Sequence, residues 1–206
     1  MKNEGNLGIA SAILAAGLIL IASIAAAVII DDSQKNFSTQ NINKITDEIL
    51  DEITNYIQIK DIIGKYSIIN EKRSIQKIAI LIKPLIPQNI NISDLTIKLQ
   101  NEKTITILYY SGQTEAIEAY PLFEHPIWKN MTNNSFSFIV ILDRDKSLLH
   151  HNVLNDDLAY IIVRLPAEFA IKPNRSLTLT LFPLSGIDRT IILDAPFCTK
   201  QVVSFE

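Results

Sequence analysis

The chain has 206 residues, of which 48% are hydrophobic and 20% are charged, and its formal net charge is −3. Once the apolar N-terminal stretch is set aside, this length allows one sizeable core but not two separate globular domains. Because the Lys and Arg residues form no cluster, we exclude nucleic acid as a partner. The single cysteine, Cys198, cannot form an internal disulfide and therefore gives no evidence about the redox compartment.

An apolar segment without charged side chains runs from Leu7 to Ile30. It is long enough to span a bilayer as a helix, and its many small residues allow helices to pack backbone to backbone. The segment therefore predicts a helix that lies in a membrane first and in a helix bundle later. The residues that we assign to this helix are Leu7, Gly8, Ile9, Ala12, Ile13, Ala16, Leu20, Ile24 and Ala27.

A short polar leader, Met1–Gly5, precedes the apolar segment, and Asp31-Asp32 follows it in place of a small-residue cleavage site. An ordinary secretory signal peptide therefore fits poorly. Two alternatives remain for this end of the chain. Either the helix is an uncleaved anchor, or a peptidase cuts after Gly5 and leaves Asn6 first, with Gly8 as a second candidate position.

The helical pattern continues beyond the apolar segment with one apolar and one charged face. No Pro or Gly interrupts it, so we predict one hydrophobic and then amphipathic helix within residues 6–60, from about Leu7 to Ile57. The alternative is two helices that break near Asp31–Ser33, where Asp32 or Ser33 caps the second one. The isoleucines that mark the apolar face are Ile42, Ile45, Ile49, Ile53 and Ile57.

Residues 61–206 predict an all-β head, which makes the fold class α+β, a long N-terminal helix followed by an immunoglobulin-like sandwich. Thr104–Ile107 and Ser176–Leu181 alternate apolar and hydroxyl residues, as in antiparallel sheets with one wet face. Ser111-Gly112 is among the predicted turns. The predicted strands are Ile75–Ile82, Leu95–Leu99, Thr104–Tyr109, Phe136–Leu142, Ala159–Leu165, Leu177–Phe182, Thr190–Leu193 and Val202–Phe205.

Several segments occur in an order that is typical of one known family. After the leader, the chain would begin Asn6-Leu7-Gly8-Ile9-Ala10, and further segments are Lys77–Pro84, Ile92–Ile97, Leu108–Tyr110, Phe138–Ser147 and Val153–Ala159. Through them the chain resembles, over nearly its whole length, the archaeal flagellins or archaellins. These are the type IV pilin-like subunits of the archaellum, the archaeal flagellum.

The resemblance implies a structural protein of an extracellular filament at the archaeal cell surface. A prepilin-type peptidase would remove the leader from a membrane-inserted precursor, and the N-terminal helix would polymerise with copies of the chain or with related archaellins. The archaellum membrane motor would rotate this helical polymer for swimming motility. Two alternatives stay open, a type IV pilus-like adhesion subunit and a membrane-anchored, stator-like accessory protein. The sequence contains none of the common catalytic motifs, so we predict no enzyme.

Asn-x-Ser/Thr sequons predict N-glycans on an exterior, secreted head. The compositional alternative is that an Asn-rich chain forms such triplets without modification. The N-glycosylation candidates are Asn36, Asn91, Asn130, Asn133 and Asn174.

An acidic stretch supplies the one candidate metal site. Asp143 and Asp145, with Asn155, Asp156 and Asp157 nearby, offer oxygen ligands of the kind that Ca²⁺ binds. A solvated acidic turn is the alternative interpretation, and we predict no other cofactor. His150-His151 is interpreted as part of a loop, since adjacent residues on a strand do not chelate one ion easily.

Overall fold

The computed structural model describes residues 56–69, 72–184, 186–196 and 200–205. The predicted leader, the apolar helix up to residue 55, Asn36 and Cys198 lie outside these residues. Among the helices within the described ranges, none has the length and apolar character needed to cross a membrane.

The described residues form one nine-stranded sheet and one two-stranded sheet. The strands are β1 (Ile57–Ile69), β2 (Lys72–Pro84), β3 (Ile90–Asn91), β4 (Thr96–Gln100), β5 (Ile105–Ala116), β6 (Ser135–Leu142), β7 (Val153–Leu154), β8 (Leu158–Arg164), β9 (Ser176–Phe182), β10 (Arg189–Asp194) and β11 (Val202–Ser204). The large sheet has the order β10-β9-β4-β5-β6-β8-β2-β1-β11, and β3 pairs with β7. Two short helices, α1 (Ile127–Asn130) and α2 (Ser147–His151), lie in the connections.

The inner face of the large sheet encloses the main core. Leu193 at one edge of the sheet and Val203 at the other belong to the same buried cluster, so the sheet curls around it. Phe136 and Phe138 are fully buried near the middle, and Tyr110 lies edge-on to Phe138 with ring centroids 5.7 Å apart. One curled sheet therefore encloses the core that two packed sheets enclose in a sandwich.

Among the strands of the described ranges, β5 and β6 are the one parallel pair of the large sheet. Parallel neighbours need a crossover connection, and here residues 117–134 pass over the outer face of the sheet. Trp128 and Ile127 of this crossover pack with Ala79, Ile139 and Ile162 in a second buried cluster. The crossover thus covers the outer face of β2, β6 and β8.

The β-rich head is confirmed, but three details of the prediction are wrong. Residues Ile57–Lys60, assigned to the helical segment, belong to β1, which the sequence analysis missed altogether. The immunoglobulin-like pair of sheets is replaced by one curled sheet with a parallel pair. Ser111-Gly112 is not a turn between strands, because β5 continues through it with a register shift between Tyr110 and Thr114. Gly112 has a φ of +77°, which a residue without Cβ adopts at little cost.

The orientation predicted for the start of β5 is also reversed. Ile105 and Ile107 are 62% and 47% exposed, while Thr106 on the other face is only partly accessible. In β9 the apolar side is as predicted, since Leu177, Leu179 and Leu181 are buried, but Thr180 on the hydroxyl side is only 3% exposed. The alternation was therefore recognised correctly in both strands, but at β5 the apolar side faces outward.

Candidate functional site

The crossover between β5 and β6 is fixed to the sheet by buried polar groups. His125, 3% exposed, lies with Nε2 3.0 Å from the carbonyl oxygen of Ala116, and its Nδ1 accepts the N–H of Ile127 at 3.3 Å. The indole N–H of Trp128 donates to the carbonyl oxygen of Leu122 at 2.7 Å. These bonds satisfy the polar groups that the crossover buries, as a covering segment requires.

Lys77 of β2 joins the sheet to this crossover. Its ammonium donates to the carbonyl oxygen of Phe123 at 3.1 Å and lies 4.8 Å from the centroid of the Trp128 ring. Burial lowers the pKa of Lys77 first, and the nearby charges of Lys65 and Arg164 lower it further. The cation therefore serves the packing of the crossover and gives no indication of catalysis.

The acidic residues predicted to bind a cation form a real cluster. One carboxylate oxygen from each of Asp143, Asp145 and Asp157 lies within 4.8 Å of the other two. Asp143 and Asp145 follow β6, and Asp157 directly precedes β8. Since β6 and β8 are antiparallel partners, with Leu142 opposite Leu158, the two ends of their connection must meet at this point.

Backbone amides orient the three carboxylates. Asp145 accepts the N–H of Ser147 at 2.9 Å, and Asp143 accepts the N–H of Leu149 at 3.0 Å, both in α2. Asp157 accepts the N–H of Asn155 at 2.8 Å. Each carboxylate is thus held in place by the turn that carries it.

The carboxylates of the cluster differ in burial and in the direction in which their pKa is shifted. Asp157 is 2% exposed, and burial raises its pKa, with further increases from the neighbouring Asp143, Asp145 and Asp156. Asp145 is solvent-exposed, and the hydrogen bonds from Ser147 lower its pKa. A buried carboxylate beside other carboxylates is costly unless a positive charge lies among them.

Two side-chain oxygen atoms of the residues that connect β6 to β8 accept no hydrogen bond. Asp143 Oδ1 and Asn155 Oδ1 are buried, and neither meets a hydrogen-bond partner within the described part of the chain. Buried polar atoms are nearly always paired. The three carboxylates, one of which is that of Asp143, make a donor set suited to a hard cation such as Ca²⁺.

The remaining predicted residues near the cluster lie apart from it. Asp156 pairs with Lys83 at 2.7 Å and is 47% exposed. His150-His151 ends α2 and is not in a loop as predicted, because Asn152 stops this helix with a φ of +57°. The sequence predicts Asp143 and Asp145 as the metal residues, with Asp157 only nearby, whereas the strand pairing brings Asp157 into one cluster with them.

All four described sequon asparagines, Asn91, Asn130, Asn133 and Asn174, are exposed. Asn174 lies in the left-handed region with a φ of +60°, at a turn. The hydroxyls of the two middle sequons bond to each other, because Thr132 donates to Ser135 at 2.8 Å. Each asparagine is thus accessible for modification on the folded head.

Comparison with known proteins identifies the family. The model of archaeal-type flagellins matches residues 5–192. Flagellin B5 of Pyrococcus abyssi is 26% identical over 94% of both chains. The crystal structure of archaeal flagellin FlaB1 from Methanocaldococcus jannaschii superposes with a TM-score of 0.62 at 22% identity, over 72% of this chain and 95% of that chain. The archaeal flagellum of Methanospirillum hungatei gives 0.55 at 12% identity, over 97% and 99%. The chain belongs to the archaeal-type flagellin family.

Proposed function

We propose that this chain is a structural subunit of an archaeal flagellum filament. The observation that carries the proposal is the family match, which runs from the predicted cleavage position through the apolar segment and nearly all of the head. The curled β-rich head and its likeness in fold to a flagellin crystal structure support the proposal. The role is structural, and the chain catalyses no reaction.

Assembly follows from the physics of the N-terminal segment. The apolar helix holds the precursor in the membrane with the head outside, and a prepilin-type peptidase removes Met1–Gly5. The helices then leave the lipid and pack into an inner bundle, because Gly and Ala allow close backbone approach and burial contributes about 25 cal/mol per Å². Head-to-tail contacts that do not close a ring build a helical polymer. A separate membrane motor rotates this extracellular filament.

The test is complementation of a deletion strain with a matched pair of variants. Ala16→Glu places a charge in the apolar helix, where it costs roughly 2.5–3.5 kcal/mol in a bilayer. Ala167→Glu makes the same change at an exposed position of the head. We expect the wild-type chain and the Ala167→Glu variant to appear in sheared filaments and restore swimming, and the Ala16→Glu variant to do neither. Recovery of the wild-type chain in the membrane fraction alone would contradict the proposal, and filaments without restored swimming would favour an adhesive role.

We also propose that the acidic cluster binds a divalent cation, with Ca²⁺ as the best match. Two oxygens bound to one Ca²⁺ at about 2.4 Å lie at most about 4.8 Å apart, and the three carboxylates meet this limit. The buried Asp143 Oδ1, which accepts no hydrogen bond within the described residues, supports the presence of a cation. The ion would neutralise the buried Asp157 and fix the connection between β6 and β8 on the outside of the head.

The exposed sequons support N-glycosylation of the head at Asn91, Asn130, Asn133 or Asn174. Glycans at these positions would extend from the end of β3, the end of α1 and two turns. They would therefore cover the outer surface without disturbing the core.

A further inference from the structure

One half of the large sheet is bare on its outer side. The crossover covers the outer face of β2, β6 and β8, whereas its buried cluster includes no residue of β4, β5, β9 or β10. We call the outer face of these four strands the bare face; the small Thr180 is the one side chain buried on it. On it, Ile105 is 62% exposed, Ile107 47%, Tyr109 59% and Ile192 62%. Single exposed apolar residues are ordinary, but neighbouring ones that form a patch mark an interaction site.

The bare face carries few charged residues. The strand registers place most of its side chains in three rows across the four strands, within which Lys98 is the one charged residue, and the exposed Asp194 lies beyond these rows at the end of β10. The Lys98 ammonium lies 5.5 Å from the centroid of the Phe182 ring, so the side chain lies along the sheet. Depletion of charge and enrichment in aromatic residues distinguish the centre of protein interfaces from other surfaces.

The size of the bare face indicates what kind of contact it makes. With strands about 4.8 Å apart and about 3.4 Å per residue, its area is about 300 Å². A stable dimer buries roughly 800 Å² on each partner, so this face cannot hold two free heads together. It suffices where another interaction already holds the heads at high effective concentration, as the N-terminal helices of a filament do.

A contact between two copies is either two-fold symmetric or head-to-tail, and the position of Lys98 favours the head-to-tail arrangement. Lys98 lies between Ile107 and Thr180, near the middle of the face. A two-fold arrangement would therefore place this cation against its own copy, which is unfavourable. A head-to-tail contact instead needs a second, different surface.

The residues between β9 and β10 provide such a surface. Leu184 is 80% exposed, Ile187 is 44% exposed, and Asp188 beside them is exposed as well. Two apolar side chains with one carboxylate complement the three rows of the bare face, in which the one charge is the ammonium of Lys98. We propose that the bare face binds Leu184, Ile187 and Asp188 of the head of a second copy, with Asp188 paired to Lys98. This inference rests on the proposed filament function and names its head-to-head contact.

Charge reversal tests the pairing in the full-length chain. We expect Lys98→Glu to lower the yield of sheared filaments about tenfold, since like charges at a contact cost about 1.4 kcal/mol or more. Adding Asp188→Lys to this variant should restore the yield. Lys60→Glu, the same change at an exposed position of β1, should leave it unchanged. An unaffected Lys98→Glu variant, or a double variant without recovery, would overturn the pairing.

A second measurement, the accessibility of introduced cysteines, tests the contact without changing the charge of the head. In a Cys198→Ser background, Ile107→Cys reports on the bare face and Ile68→Cys reports on β1, where Ile68 is 76% exposed. We expect maleimide to modify position 107 about tenfold more slowly in filaments than in detergent-dissociated subunits, as burial limits access, and position 68 equally fast in both. Equal rates at position 107 would overturn the inference while leaving the filament function intact. Absence of the wild-type chain from filaments would instead overturn the proposed function.

Discussion

Replacing Asp157 by asparagine should change the stability of the head in opposite directions with and without Ca²⁺. Asparagine keeps the shape and can still accept the N–H of Asn155, but it removes one negative charge from the cluster. One site at about 100 times its Kd stabilises the folded state by about 2.7 kcal/mol. For a domain of this size, the wild-type head should then gain roughly 5–10 °C in Tm with Ca²⁺, and the Asp157→Asn variant much less.

In EDTA, where no Ca²⁺ is bound, the Asp157→Asn substitution should stabilise the head. Because burial and the neighbouring carboxylates raise the pKa of Asp157 in the folded head, its ionised form destabilises the fold. At pH 7 the Asp157→Asn variant should therefore unfold at a higher temperature than the wild type. This advantage is complete above the raised pKa and disappears as the pH falls to the ordinary carboxyl value near 4. Below that value, the two proteins should unfold at the same temperature.

Fluorescence of Trp128, the single tryptophan of the chain, reports unfolding of the head, because this side chain is 3% exposed. The control is Asp156→Asn, which removes a neighbouring carboxylate that pairs with Lys83 outside the cluster. The Tm of the Asp156→Asn variant should rise with Ca²⁺ as much as that of the wild type. An Asp157→Asn variant that gains as much from Ca²⁺ as the wild type would refute the cation site, and one that is no more stable in EDTA would refute the electrostatic argument.

Three further predictions concern the head. Gly64→Ala should destabilise it by about 1–3 kcal/mol through overpacking, since a Cβ there would lie 2.8 Å from the Phe205 ring; calorimetry of the full chain showing no loss would contradict this close packing. Trp128→Ala should cost about 3–5 kcal/mol and be seen as a lower Tm by circular dichroism, and an unchanged Tm would mean that the crossover is not needed to cover the sheet. Ser176→Ala, which removes the sequon at Asn174 and leaves the asparagine in place, should lower the mass of the filament protein by one glycan, and an unchanged mass spectrum would show that this sequon is not used.

The strands of the head could be predicted from the sequence because their signal is local. Alternation in Ser176–Phe182 and the apolar run in Ser135–Leu142 each identify a strand without knowledge of its neighbours. β1 was missed because its isoleucines also fit a helical spacing, and its strand character depends on pairing with β2 over its whole length. Periodicity alone does not separate the two when apolar residues are this frequent.

The side on which an alternating strand buries its residues depends on what the rest of the chain covers. Their alternation with threonines predicts Ile105 and Ile107 as core residues, but their face is exposed because the crossover packs elsewhere on the sheet. The acidic cluster shows the same dependence. Asp143 and Asp145 are neighbours in sequence and were selected, whereas Asp157 joins them only through the antiparallel pairing of β6 and β8.

The most direct test of the account is the N-terminal residue of the chain recovered from filaments sheared off cells. We predict that Asn6 is first, since removal of Met1–Gly5 is the step that frees the apolar helix for polymerisation. A chain that is found only in the membrane fraction, with Met1–Gly5 intact, would contradict the filament function and identify an anchored accessory protein instead.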